Sequence, residues 1–395
     1  MATPGTSIAP ATGATKAPAA PKTRWGQKGI SERFYVLDSQ LSETPNAQQI
    51  IMADAGLLSE LQHHHFGTYT VTHNTGTNGK DVFGPYTALA SYTLRAGSNT
   101  PLVQLSGRSL GILQTLEYVD RSFEAPAVSA SVENPLANSS DYFNYPSATG
   151  LMRFWARVPI ALKLMGAPGG FVGYMVLQNK RVANIIQPVF NLNGASAPYN
   201  AATEAASGGN GAYYVTGNDT VTASPTFETW KTLHTIPASR NDMPLFGFTR
   251  YIYEVLQPYS GTSFTYNFEP GGELLRAVFQ FIDGTNGAGS TPAGMATTNL
   301  NQIAYQYGTN KQLDVYTPYR NIHQQMLDYG RPLPQGCFVF DYYTPWRSLV
   351  NTKSTENTAN VQVVAQFAST YSVPANSQVS VLLDKVFAVQ NYLGQ

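Results

Sequence analysis

The chain has 395 residues, and its 24 lysines and arginines balance 24 aspartates and glutamates, which gives a formal net charge of zero. Charged residues make up 12% of the chain, and a dedicated nucleic-acid binder is disfavoured because affinity for phosphates needs a clustered excess of lysine and arginine. The length favours two domains, and the 43% hydrophobic content excludes disorder of the whole chain.

Residues 1–48 are predicted to form a flexible N-terminal arm, because residues 1–29 are mostly Ala, Thr, Pro and Gly and cannot bury enough surface to fold. Up to residue 33 the arm has a net charge of +4, and its basic residues are Lys16, Lys22, Arg24, Lys28 and Arg33. Two interpretations stay open: a solvated tail, or a segment that contacts an anionic membrane leaflet or an acidic neighbour. No segment is typical of a secretory signal or a membrane span, so we expect a protein made and kept inside a cell, or packaged from there.

Residues 49–240 are predicted to form a first, all-β domain. Runs of apolar, aromatic and β-branched residues are separated by Gly, Asn and Ser, a pattern that indicates strands. These runs are 67–72, 86–95, 102–120, 151–164, 181–190 and 226–235. The polar segment 191–211 is too long for a hairpin and is typical of a surface loop on a β-sandwich.

The same pattern begins again after the proline-marked break at 236–244, and residues 241–395 are predicted to form a second domain. Its strand-like runs are 245–256, 273–283, 301–307, 337–343, 361–371 and 378–392. Several of them alternate strictly between apolar and polar residues, which is typical of a strand with one buried face. The sequence therefore predicts an all-β protein with two similar halves.

One helix is predicted, over residues 318–329. Thr317 can cap its first turn, Pro318 suits the first helical position, and Gly330 ends it. Its apolar stripe consists of Tyr319, Ile322, Met326 and Tyr329. We expect this stripe to pack against the second domain.

The pattern G-x-S-x-G occurs at residues 107–111, with Ser109 in the position of a nucleophile. In hydrolases this serine lies on a sharp turn between a strand and a helix. Residues 112–119 are predicted to form another strand, so a β-bulge or turn is the favoured interpretation. Only His234 and His323 lie downstream as candidate bases.

The histidines His63, His64, His65 and His73 form the one histidine cluster of the sequence. On a strand, His63 and His65 would point to the same face, within reach of one metal ion. Two ligands do not make a site, and no carboxylate lies at a helical ligand spacing beside them. A polar strand end or a subunit contact is the favoured interpretation, and binding of an ion stays open.

The remaining motifs do not predict a catalytic or binding site. Residues 76–81 lack the first glycine and the final Ser/Thr of a phosphate loop, and in residues 166–170 Pro168 replaces a glycine of the dinucleotide motif. Glu254, Glu269, Glu273 and Asp283 could converge as in a glycoside hydrolase, but no spacing singles any of them out. Cys337 is the only cysteine, so neither an intrachain disulfide nor a thiolate zinc site is expected. We expect a non-enzymatic protein without catalytic, cofactor-binding or metal-ligating residues.

The order of several segments resembles that of the double-jelly-roll major capsid proteins of tailless, membrane-containing, tectivirus-like bacteriophages. The matching segments, which cover roughly residues 150–395, are 154–160 (FWARVPI), 179–181 (NKR), 188–191 (PVFN), 251–254 (YIYE), 274–284 (LLRAVFQFIDG) and 334–341 (PQGCFVFD). The helix predicted at 318–329 precedes the last segment, where these coat proteins carry a helix. The Pro- and Ala-rich arm differs from the helical segment that the resemblance implies beneath the coat.

The resemblance implies two consecutive jelly rolls per chain and a pseudo-hexagonal homotrimer that tiles an icosahedral shell over an internal membrane. The implied partners are further copies of the chain, minor capsid proteins and the membrane, the last reached by the arm, with no sequence-specific binding of nucleic acid. The implied location is the virion, and the host cytoplasm during assembly. Two alternatives stay open: a receptor- or glycan-binding β-sandwich module, such as a spike or adhesin, and a jelly-roll glycan hydrolase. The first would show clustered exposed aromatics, and the second would show carboxylates that converge in a cleft.

Overall fold

The computed structural model describes the strands, the helices and several connections. The described residues are 33–42, 48–49, 56–72, 78–80, 89–96, 100–117, 149–163, 171–172, 175–176, 186–192, 213–215, 220–234, 248–284, 293–307, 311–330, 332–344, 352–355 and 361–388. The predicted boundary at 240, residues 166–170 of the incomplete dinucleotide motif and most of the predicted loop at 191–211 lie outside them. Neither α-helix within these ranges is long and apolar enough to cross a bilayer.

The first half of the chain forms two larger sheets and two separate pairs of short strands. Its elements are β1 (Arg33–Ser42), β2 (Gln48–Gln49), β3 (Leu57–Thr72), β4 (Asn78–Lys80), β5 (Leu89–Ala96), β6 (Thr100–Leu105), α1 (Gly107–Glu117), β7 (Thr149–Pro159), β8 (Leu162–Lys163), β9 (Phe171–Val172), β10 (Met175–Val176), β11 (Ile186–Leu192), β12 (Tyr213–Val215) and β13 (Thr220–His234). One sheet runs β1-β13-β3-β7, and the other runs β2-β11-β5-β6. This strand order is that of a jelly roll.

The second half repeats the arrangement. Its elements are β14 (Phe248–Pro258), β15 (Ser263–Asn267), β16 (Glu273–Asp283), β17 (Ala293–Gly294), a 3-10 turn (Thr297–Asn299), β18 (Leu300–Tyr307), β19 (Lys311–Tyr316), α2 (Pro318–Tyr329), β20 (Cys337–Asp341), β21 (Lys353–Ser354), β22 (Val361–Phe367) and β23 (Gln378–Ala388). One sheet runs β14-β23-β16-β20, and the other runs β15-β22-β18-β19. The chain is therefore a double jelly roll, as predicted.

The duplication extends to detail around the two helices. In the first jelly roll β6 is followed by one capping residue, Ser106, and then by α1, which precedes β7. In the second jelly roll β19 is followed by one capping residue, Thr317, and then by α2, which precedes β20. Each helix therefore connects the edge strand of one sheet to a strand of the opposite sheet.

The two jelly rolls join through their sheets. Edge strand β6 of the first pairs in parallel with edge strand β14 of the second, where Val103 and Gln104 lie opposite Ile252 and Tyr253. This pairing makes a ten-stranded sheet that passes from one jelly roll to the other. The edges of both sheets are thereby removed at this point, which protects them from pairing with other chains.

The core of the second jelly roll is dominated by aromatic side chains. Strand β15 alternates buried and exposed residues and directs Phe264 and Tyr266 inward. The ring of Phe281 on β16 meets those of Phe264, Tyr259 and Phe367 edge-on, with centroids 5.5–5.7 Å apart. Such edge-on contacts stabilise the core beyond the effect of burying the apolar area of each ring. They also link the two sheets across the sandwich.

Two predictions about the first half are wrong. The run 102–120 is not one strand, because Gly107–Glu117 form α1. Nine of the eleven residues of α1 are buried, and a helix covered on most sides lacks the polar face that would have distinguished it from a strand. The predicted arm is also too long: Arg33 begins β1, which pairs with β13 from Arg33 opposite His234 to Ser42 opposite Thr226.

Candidate assembly interface

Helix α1 is held across the second jelly roll by contacts at both of its ends. At its start, the backbone N–H of Ser106 donates to Glu254 Oε2 on β14, at 2.6 Å. The other oxygen of Glu254 accepts from Ser380 on β23, at 2.5 Å. A carboxylate is favourable at a helix N-terminus because the unpaired N–H groups carry partial positive charge.

At the end of α1, Glu117 enters a buried network with three charged residues of the second jelly roll. Arg250 donates to both oxygens of Glu117, at 3.1 and 3.2 Å, and to both oxygens of Asp384, at 2.8 and 2.5 Å. Arg276 donates to Glu117 and, at 2.8 Å, to Asp384. Arg250 lies on β14, Arg276 on β16 and Asp384 on β23 between them. The helix therefore supplies one of the two carboxylates that both arginines share.

The network keeps both guanidinium groups charged although water is excluded. Burial alone would lower the pKa of Arg250, but Asp384 and Glu117 outweigh it and the pKa is raised. For Arg276 the same balance raises the pKa, with a further contribution from Asp341. A buried ion network is strongly destabilised when one partner is removed, because the remaining charges are left without compensation.

Tyr343 closes the network on another side and links the two jelly rolls again. Its ring faces the guanidinium groups of Arg276 and Arg250, with centroid distances of 5.5 and 5.9 Å. Its hydroxyl donates to the backbone carbonyl of Lys163 in the first jelly roll, at 2.6 Å. We call α1 together with β14, β16 and β23 the inter-roll interface.

The sequence contains one signal for this network, a buried arginine outside any of the motifs. Arg276 stands in the otherwise apolar run of β16, and arginine is seldom fully buried without a partner. Its partners Asp384 and Glu117 are 108 and 159 positions away, so no local spacing could identify them.

Helix α2 has the predicted bounds, but the prediction of its buried face is wrong. Thr317 caps it by accepting from Arg320 N–H, and Gly330 ends it in the left-handed conformation at φ 71°. Its buried residues are Pro318, Asn321, Gln325 and Tyr329, so of the predicted stripe only Tyr329 is buried. Tyr319 and Met326 are exposed.

The buried face of α2 is polar because it covers the edge of β20. The amide of Asn321 donates to the carbonyl of Val339 at 2.8 Å and accepts from the N–H of Val339 at 2.9 Å. Gln325 donates to the carbonyl of Cys337 and accepts from Leu333 N–H, at 3.0 and 2.8 Å. The two amides thus replace a neighbouring strand, which protects β20 from edge pairing.

Helix α1 covers the edge of β7 in the same way. The amide of Gln114 donates to the carbonyl of Arg157 at 2.8 Å and accepts from its N–H at 2.7 Å. The two helices therefore play the same part within their own jelly rolls. They differ in the side of the helix that faces away from the covered strand. In α1 this side contacts the second jelly roll, and in α2 it is exposed.

The serine of the G-x-S-x-G pattern does not lie on a nucleophile turn. Ser109 is in the first turn of α1, where it is buried, and its hydroxyl lies 3.4 Å from that of Ser380. His234 contacts Ser59 at 3.0 Å, and His323 is exposed on α2. The pattern is therefore part of the inter-roll interface, and the predicted bulge or turn is replaced by a helix.

His63 lies in the core of the first jelly roll. Its ring nitrogens contact Tyr92 Oη at 2.9 Å and Thr229 Oγ1 at 3.2 Å, while neighbouring His64 faces Glu228 at 3.7 Å. His73 and the side chain of His65 lie outside the described residues. Within the part of the chain that is described, no three His, Cys, Asp or Glu side chains are grouped so that they could hold a metal ion.

Stability is expected to fall at acidic pH because of His63. Burial lowers the pKa of His63 from 6.5 to about 3, so between these values the unfolded chain binds a proton that the folded chain does not. The free energy of unfolding should then decrease as the pH falls from 6.5 towards 3, by up to about 1.4 kcal/mol per pH unit. Urea unfolding of His63→Gln should show a smaller decrease over this window.

The control is His323→Gln, which changes an exposed histidine and should keep the pH dependence of the unchanged chain. An equal pH dependence in His63→Gln and the unchanged chain would contradict the prediction.

The four candidate carboxylates do not form a cleft. Glu273 and Asp283 lie at opposite ends of β16, about 30 Å apart for a strand of this length. Asp283 accepts hydrogen bonds from Tyr259 and Tyr371. Burial, together with the hydrogen bonds of Tyr259 to Asp283 and to Tyr371, raises the pKa of Tyr259. Glu254 belongs to the inter-roll interface, and Glu269 is exposed.

The exposed aromatics of the described residues are not clustered on one loop edge. Tyr307 ends β18 and Tyr319 is in the first turn of α2. Of the basic residues assigned to the arm, Arg33 begins β1, and Lys16, Lys22, Arg24 and Lys28 lie outside the described residues.

No protein-family model matches the sequence, and no curated protein sequence matches it. Solved structures match over nearly the whole chain. The MCP of Sulfolobus Turreted Icosahedral Virus (STIV) is 12% identical with a TM-score of 0.61, and the match covers 91% of this chain and 97% of that one. The major capsid protein of bacteriophage PM2 is 7% identical with a TM-score of 0.52, covering 92% of this chain and all of that one. The PBCV-1 virus capsid is 10% identical with a TM-score of 0.57, covering 92% and 95%.

These similarities are similarities of fold. They extend through both jelly rolls, since the match covers more than nine tenths of each chain. The predicted fold class, an all-β double jelly roll with short helices, is confirmed.

Proposed function

We propose that the chain is a structural major capsid protein of an icosahedral virus. The observation that carries the proposal is the full-length match of both jelly rolls to viral capsid proteins, with almost no unmatched part on either side. A glycan hydrolase would need carboxylates that converge in a cleft. The candidate carboxylates do not form one, so this alternative has no specific observation in its favour; they are Glu254, Glu269, Glu273 and Asp283.

The proposal includes a homotrimer that forms a pseudo-hexagonal capsomer and tiles a shell over an internal membrane. The way in which the two jelly rolls are joined within one chain supports it, because rigid coupling by a shared sheet and a buried charge network suits a building block. The low charge of the chain also fits, since identical copies with a net charge of zero do not repel one another over long range. The partners are further copies and minor capsid proteins, and the location is the virion.

Light scattering of the purified full-length chain, followed by electron microscopy, tests this proposal. We expect a mass of about three times 42.9 kDa and hexagonal particles. A monomer that does not assemble under any condition screened would contradict the proposal, and glycan-binding and hydrolysis assays would then be the next experiments.

The basic arm is proposed to contact the inner membrane or a neighbouring capsomer. Deletion of residues 1–29 is expected to leave the trimer folded, because β1 begins only at Arg33, but to reduce the yield of closed particles. Sedimentation of assembled particles measures the yield, and light scattering checks the trimer. The control keeps the full-length arm and replaces its basic residues by glutamine, which separates the effect of the arm's charge from the effect of its length. The replaced residues are Lys16, Lys22, Arg24 and Lys28. Normal particle yield after the deletion would show that the arm has no such role.

A further inference from the structure

Three oxygen donors from separate parts of the chain meet at one end of the second jelly roll. The hydroxyls of Tyr259 and Tyr371 both donate to Asp283 Oδ1, the first at 2.5 Å, and the two hydroxyl oxygens lie 3.2 Å apart. Tyr259 follows β14, Asp283 ends β16, and Tyr371 lies between β22 and β23. No local spacing in the sequence could identify this group, because Asp283 is 24 positions from Tyr259 and 88 from Tyr371.

Ring packing and backbone hydrogen bonds hold these side chains in place. The ring of Phe367 contacts those of Tyr259 and Tyr371, with centroid distances of 5.4 and 5.7 Å. The carbonyl of Ser377 accepts from the N–H of Tyr259 at 3.2 Å, and its hydroxyl accepts from the N–H of Gly284 at 2.8 Å. The donors are therefore positioned before any ligand binds, which lowers the cost of ordering them.

The group is accessible to a small ion on one side. Tyr259 is 5% exposed, whereas Asp283 and Tyr371 are half-buried. Among the described residues Asp283 Oδ2 accepts no hydrogen bond, since both tyrosines donate to Oδ1. Solvent therefore reaches the donors from the side of Asp283 and Tyr371.

The spacing of the oxygens is that of neighbouring ligands on one octahedral ion. With metal–oxygen bonds of about 2.0–2.1 Å, adjacent ligands lie about 2.9 Å apart. The distances from Tyr259 Oη to Asp283 Oδ1 and to Tyr371 Oη, 2.5 and 3.2 Å, fall on either side of this value. Only one of the three donors is a carboxylate, and the other two are phenols.

The protons on the phenols determine which ion fits. Burial raises the pKa of Tyr259 and of Tyr371, and the hydrogen bond of each to Asp283 adds to this effect, so both are protonated at neutral pH. A bound cation must displace both protons, as a metal ion does at a coordinating thiol. Ca²⁺ and Mg²⁺ take carboxylates, carbonyls and waters instead. A trivalent ion is a stronger Lewis acid, and its charge equals that of two phenolates and one carboxylate.

We infer that Tyr259, Asp283 and Tyr371 form a binding site for a hard trivalent cation of the ferric type. Binding releases one proton from each phenol to solvent, and water fills the remaining positions around the ion. The bound ion joins the connection after β14, the end of β16 and the connection between β22 and β23. The inference does not depend on the proposed function.

Ferric nitrilotriacetate added to the purified full-length chain at neutral pH tests the site. Ferric phenolates absorb visible light by charge transfer, so we expect a coloured complex that saturates at one ion per chain. Tyr259→Phe and Tyr371→Phe each remove one phenolate and should weaken binding at least tenfold, and the double variant should show no visible band. Absence of the band in the unchanged chain would overturn the inference.

The matched control is Tyr342→Phe, which removes a tyrosine–aspartate hydrogen bond outside the site, the 2.9 Å bond to Asp314, and should leave the band unchanged. A further variant, Asp283→Asn, keeps an oxygen to which both tyrosines can donate, so the fold should be retained while binding weakens at least tenfold. Circular dichroism and the melting temperature check the fold of each variant. A band of full strength in the double tyrosine variant would place the ion elsewhere and would also overturn the inference.

Discussion

Glu117→Gln is expected to lower the free energy of unfolding by about 3–5 kcal/mol, the range for removal of one partner from a buried ion pair. The substitution keeps the shape of the side chain and removes its charge, so Arg250 and Arg276 would be left to share the carboxylate of Asp384, and Arg276 would keep Asp341 at 3.9 Å as a weaker partner. Urea unfolding followed by fluorescence measures the change. Since Glu117 is in the first jelly roll and the arginines are in the second, we also expect the two halves to unfold in separate steps.

The matched control is Glu269→Gln, which makes the same chemical change at an exposed glutamate of the second jelly roll and should alter stability by less than about 0.5 kcal/mol. Equal unfolding free energies for Glu117→Gln and the control would show that the network contributes little to holding the jelly rolls together.

Asn321→Leu is expected to have a comparably large effect, a loss of about 2–6 kcal/mol, because leaving a buried backbone group unpaired costs roughly 1–3 kcal/mol and Asn321 pairs with two of them. These groups are the N–H and the carbonyl of Val339. Hydrogen exchange at the amide of Val339 should become faster, and the opened edge of β20 should favour aggregation.

The matched control is Gln324→Leu on the exposed side of the same helix, where the amide contacts only Asp328 among the described residues. Unchanged exchange at Val339 in the Asn321 variant would mean that another group pairs with the edge of β20. Faster exchange in both variants would mean that α2 itself has been loosened.

The bounds of α2 could be predicted because they depend on neighbouring residues. The hydroxyl of Thr317, the ring of Pro318 and the flexible backbone of Gly330 act within one helical turn of the ends they determine. The face of the helix could not be predicted in the same way. Hydrophobic periodicity favoured Tyr319, Ile322 and Met326, whereas the available surface was the polar edge of β20, which Asn321 and Gln325 cover.

The prediction at α1 is wrong for a different reason, because nearly every residue of this helix is buried. Burial on all sides removes the alternation between apolar and polar residues by which a helix is distinguished from a strand. Ser106 did provide a local sign, since its hydroxyl accepts from the N–H of Ser109 and starts the helix. The sequence does not predict β1, because residues 33–42 follow directly on a low-complexity segment.

By itself the sequence determined the all-β class, the duplication into two halves, the bounds of α2 and the resemblance to double-jelly-roll capsid proteins. These follow from composition, local periodicity and the order of segments, which are properties of neighbouring residues. Only the tertiary structure decided that Glu117, Arg250, Arg276 and Asp384 form one network and that β6 continues into β14. These contacts join residues more than 100 positions apart, so they depend on how the sheets pack and not on any local pattern.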